Sequence, residues 1–77
     1  MRRKRAPLEG SYRHLDGIVV AFLRGKQDAE TSVRAVLDSH SANQVKAVLF
    51  NEGERYRRFN RARFRDLVEQ LRLLGVL

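Results

Sequence analysis

From Glu54 to Arg65 the chain reads ERYRRFNRARFR, six arginines and three aromatic rings in twelve positions. A guanidinium binds phosphate oxygens bidentately and stacks on flat rings. The chemistry is that of contact with an anionic, phosphate-bearing partner. Arg55, Arg57, Arg58, Arg61 and Arg65 are the candidate phosphate contacts. Tyr56 has no place in the apolar stripe that follows, which makes it the candidate for stacking on a base. Phe59 and Phe64 fit the two positions of a hydrophobic staple at a helix start. Arg2, Arg3, Lys4 and Arg5 form a second cluster. It suits an arm on phosphates or in a minor groove, a nuclear-localisation-type signal, or a solubilising tail.

Catalytic chemistry cannot be assembled. The two histidines, His14 and His40, lack metal-ligand spacing with a carboxylate. Asp16, two residues from His14, does not face it on a helix. Ser39, His40 and Ser41 crowd a turn, which is capping chemistry and not a nucleophile with its base. The five glycines are scattered and make no phosphate loop. There is no cysteine, hence no disulfide and no thiolate metal site. The expectation is a non-enzyme with no cofactor and no metal.

The formal charge of +7 over 77 residues favours an anionic partner. Arginine outnumbers lysine thirteen to three; phosphate recognition and GC-rich codon usage both account for that. The charge is segregated: +4 over residues 1–13, −2 over 14–54 and +5 over 55–77. The apolar run GIVVAFL is far short of the ~20 residues that span a bilayer, so a soluble, intracellular protein with no membrane partner is expected.

Four helices are expected to position these groups. Residues 1–7, MRRKRAP, read as a flexible, disordered basic arm, and residues 8–77 as a single helical domain. Leu8, Tyr12, Leu15, Val19 and Phe22 step at helical spacing, Ser11 is a candidate N-cap, and Gly25 fits the left-handed stop. Asp28 caps a second helix bearing Ala29, Val33, Val36 and Leu37. Ser41 with Gln44 forms a capping box for a third, bearing Val45, Val48 and Leu49 and ending at Gly53. The fourth has the apolar stripe Phe64, Leu67, Val68, Leu71 and Leu74. Its phase places Asn60 as N-cap, leaves Arg55 to Arg58 in a loop, and makes Gly75 the stop. The fold class is all-α, a compact bundle of about four short helices.

Residues 28–52 also have a helix-turn-helix layout, with Ser39 in the turn slot usually held by glycine. Asn43 and Lys46 are then candidate base contacts, although Arg34 and Asp38 fall where apolar residues belong. The alternative leaves Asn43 and Lys46 as a solvated face. Leu71, Leu73, Leu74, Val76 and Leu77 span more than one helix face, which suits a homodimer or a chain end folded back over the bundle. The expected function is a small basic nucleic-acid-binding protein, DNA favoured over RNA. The alternative is a protein-interaction module, a small regulator or inhibitor, with its basic patch on an acidic protein surface.

Overall fold

The computed structural model describes residues 10–77, so the basic arm with Arg2, Arg3, Lys4 and Arg5 lies outside the described residues. Four helices follow: α1 Tyr12–Leu23, α2 Ala29–Ser39, α3 Ala42–Asn51 and α4 Gly53–Leu73. No strand occurs among the described residues. Each of the first three helices starts on a side chain that accepts an otherwise orphaned backbone N–H. The Ser11 hydroxyl accepts from His14 N at 3.1 Å, the Asp28 carboxylate from Thr31 N at 3.0 Å, and the Ser41 hydroxyl from Gln44 N at 3.1 Å.

The two glycine stops are built alike. Gly25 and Gly75 both have φ of +79°, a region closed to most side chains. Gly25 N donates to Phe22 O and Lys26 N to Ala21 O; Gly75 N donates to Arg72 O and Val76 N to Leu71 O. This pair of bonds is the Schellman motif. The second one turns Val76 back against the core.

α1 packs on α2, α3 and α4, and α4 also packs on α2 and α3. The core holds Leu15, Val19, Phe22 and Leu23 of α1, Val33 and Val36 of α2, Val45, Val48 and Leu49 of α3, and Tyr56, Phe64, Leu67 and Leu71 of α4. These positions recur at three- and four-residue spacing on every helix, which is how one face of each reaches a shared interior.

Three expectations about the second half of the chain are corrected. Gly53 opens α4 and does not end α3; Glu52 alone separates the two helices. The segment from Arg55 to Phe59 is helical and not a loop. The burial of Tyr56 explains why: this first part of α4 carries its ring into the shared core. Asn60 is still an N-cap, but of the second half of α4. Its backbone is extended (φ −161°, ψ 93°), its Oδ1 accepts from Arg63 N at 3.2 Å, and its Nδ2 donates to Leu23 O at 3.1 Å. Phe59 remains half exposed with the Arg24 guanidinium 5.6 Å from its ring centre, while Phe64 is buried with Tyr56 as its ring neighbour.

The α2–α3 connection does not reproduce the turn assigned to Ser39. Ser39 is the last residue of α2, and His40 is extended at φ −138°. No non-glycine residue among those described has positive φ. His40 is buried and fixes this corner through a chain of bonds. Gln44 donates its Nε2 to Gly10 O at 3.0 Å, which leaves Oε1 to accept from His40 Nδ1 at 2.7 Å. His40 Nε2 then accepts from His14 Nδ1 at 2.9 Å.

At the opposite corner Tyr56 is wholly buried and gives its hydroxyl to Asp16 Oδ1 at 2.5 Å. Burial, then the carboxylate it bonds, pushes the Tyr56 hydroxyl well above the usual tyrosine range, so it stays a neutral donor. Tyr56→Phe should lower stability by about 1.5–3 kcal/mol, because the bond from a buried hydroxyl to a charged group is lost. Chemical denaturation measures this. A second expectation concerns acid. The Thr31 hydroxyl and backbone N–H hold the Asp28 carboxyl below its usual value, and Tyr12 and Arg55 do the same for Glu52. A depressed carboxyl stabilises above its unfolded value and loses that contribution as pH falls through its folded one. Stability should therefore decline below about pH 4. Asp28→Asn caps as well without titrating, so its melting temperature should fall less steeply over the same acid range.

Candidate nucleic-acid interface

The arginines of the 54–65 stretch divide by what their guanidiniums meet. Arg55 is bound twice: its Nε donates to Glu52 Oε1 at 2.8 Å and its Nη2 to Asp16 Oδ1 at 2.5 Å. Those bonds hold it protonated even more firmly than an ordinary arginine. Tyr12 also donates to Glu52, so two carboxylates, two tyrosines and one arginine tie α1 to the start of α4. Arg55 is thus engaged by two carboxylates, with half of its side chain still exposed. Tyr56 is corrected from base-stacking candidate to core residue, since a ring with 0% exposure meets no base.

Arg63 is structural as well. Its Nε donates to Phe22 O at 2.5 Å, its Nη2 to Gln27 O at 2.9 Å, and its guanidinium lies 4.2 Å over the Phe22 ring. The carbonyls at a helix C-terminus carry partial negative charge and lack intrahelical donors. Arg63 and Asn60 supply donors to that end of α1.

The remaining arginines form the candidate site. Arg57, Arg61, Arg65 and Arg72 line one open groove with Phe64, Val68 and the single carboxylate of Glu69. Arg61 and Arg65 share a face because they are one turn apart, and Arg72 follows two turns after Arg65. Arg57 comes from before the Asn60 break, and its guanidinium reaches this groove by lying 5.7 Å from the centre of the Phe64 ring. Gly53 leaves it that seat: a Cβ there would stand 3.2 Å from Arg57 Nη1. Among the described residues none of these four arginines forms an ion pair. Arg58 meets Glu54 at 3.4 Å, with both side chains more than three-quarters exposed. Such a pair contributes little and yields readily to another anion.

Asn43 and Lys46 are exposed on the outer face of α3. The sequence reading passed over a third residue there, Phe50, which is 87% exposed. The signal was available: at 100° per residue Phe50 lies roughly 140° from Val45, away from the buried stripe. It also left Arg72 out of the site, and no local signal separates Arg72 from a solvated arginine.

Among the described residues there is no group of three or more metal-ligating side chains, and no helix is long and apolar enough to cross a membrane. No protein-family model, curated protein or solved structure matches the chain.

The division of arginines has a direct check. Arg63→Ala should cost about 1.5–3 kcal/mol, because it removes charge-assisted bonds to two carbonyls. Arg61→Ala should stay within about 0.5 kcal/mol of the parent, as for most surface changes. Equal losses in a urea titration would contradict the assignment.

Proposed function

We propose that this chain binds nucleic acid through its phosphates, on the face of α4 formed by Arg57, Arg61, Arg65 and Arg72 with Arg58 beside it. One observation carries the reading. Four arginines line one groove and form no ion pair among the described residues, whereas Arg55 and Arg63 of the same helix are engaged by Asp16, Glu52 and the carbonyls of Phe22 and Gln27. Unpaired guanidiniums on one face repel one another, and a phosphate relieves that repulsion.

A second reading rests on a different place. Val33, Leu37 and Leu74 line an open groove between α2 and α4, with Glu30, Arg34, Asp38 and Gln70 around it. Leu73, 71% exposed, precedes Leu74 in the chain. That surface supports the protein-interaction alternative, including a second copy of this chain.

Salt dependence tests the first reading. Displacing counterions from about four phosphates gives a slope of log affinity against log salt of roughly −3 to −4. Replacing Arg57, Arg61 and Arg65 together by alanine should flatten the slope by about 2–3 and leave the melting temperature close to the parent's. A slope near zero, or no binding to any nucleic acid at low salt, would sink the proposal.

A further inference from the structure

Phe50 is the most exposed large apolar side chain among the described residues. The other phenylalanines are accounted for: Phe22 and Phe64 are buried, and Phe59 has Arg24 over its ring. Phe50 shares the outer face of α3 with Asn43, Lys46 and Ala47, all exposed. Its neighbours there are a cation one turn away and an amide two turns away, with alanine the sole apolar companion. A protein-docking hot spot is normally ringed by contacts that exclude water. A lone ring among cationic and amide groups is instead the arrangement that stacks on a nucleobase.

Position adds to this. Phe50 precedes Gly53 by three residues, and the Arg57 guanidinium rests against Gly53. Glu52 alone separates α3 from α4, so Phe50 is close along the chain to the residue that seats the first arginine of the groove. We infer that Phe50 is a stacking platform for a base of single-stranded nucleic acid whose phosphates lie on Arg57, Arg61 and Arg65. This rests on the phosphate-binding reading and sharpens it: bases in a duplex are already stacked on one another and offer Phe50 no free face.

The test measures anisotropy of a labelled oligothymidylate of about twelve nucleotides, within the site sizes of single-strand binders, and of a duplex of equal length. Phe50→Ala should weaken the single strand roughly 5- to 100-fold, the range of one lost stacking contact, and leave duplex affinity and the salt slope unchanged. Phe50→Trp should retain single-strand affinity. Melting curves of both variants should match the parent, since the ring is 87% exposed. If Phe50→Ala binds the single strand as tightly as the parent, or loses duplex and single strand equally, this inference is overturned while phosphate binding stands. If the parent binds neither, both fall.

Discussion

A tyrosine hydroxyl with no access to water must have an acceptor, and Tyr56 finds it in Asp16. Much of the architecture follows from that one bond. It fixes α1 against the start of α4, so the segment after Glu52 must be helical for the ring to point inward. It draws Arg55 to the same carboxylate, because a half-buried acid serving a neutral donor still needs a cation nearby. Arg55 in turn holds Glu52, the single residue between α3 and α4, and Tyr12 reaches that carboxylate from α1. A small domain without disulfides gains much from such a clasp, since it buries little apolar surface.

The break at Asn60 is the complementary device. Extending one residue frees the Asn60 side chain to hold Leu23 O on one side and Arg63 N on the other. Arg63 then covers Phe22 O and the Phe22 ring. Arginines at positions 61, 63 and 65 oppose the dipole of a helix starting there. Arg63 escapes that opposition by pairing with the negative end of α1. Arg61 and Arg65 do not, and with Arg57 and Arg72 they line the open groove.

Much of the fold was legible from local chemistry. Ser11, Asp28, Ser41 and Asn60 each accept the backbone N–H that their residue type and position implied. Gly25 and Gly75 stop their helices with left-handed backbone. These are signals between residues a few positions apart. Gly53 misled because glycine at a helix boundary suits an end or a start equally; its role, leaving room for Arg57, depends on a side chain from the next turn. Tyr56 falls outside the stripe of a helix that begins at Asn60, and its burial is set by the separate helical segment before that residue.

By itself the sequence determined the helical class, the caps and stops, and the concentration of positive charge after residue 54, because propensity, capping and charge belong to residues or near neighbours. Only the tertiary structure decided which arginines are free. Arg55 and Arg57 look alike in the chain, yet one meets Asp16 thirty-nine residues away and the other lies against Gly53 and Phe64. Partnership between distant charges is a property of packing. So is exposure, which put Tyr56 inside the protein and Phe50 outside it.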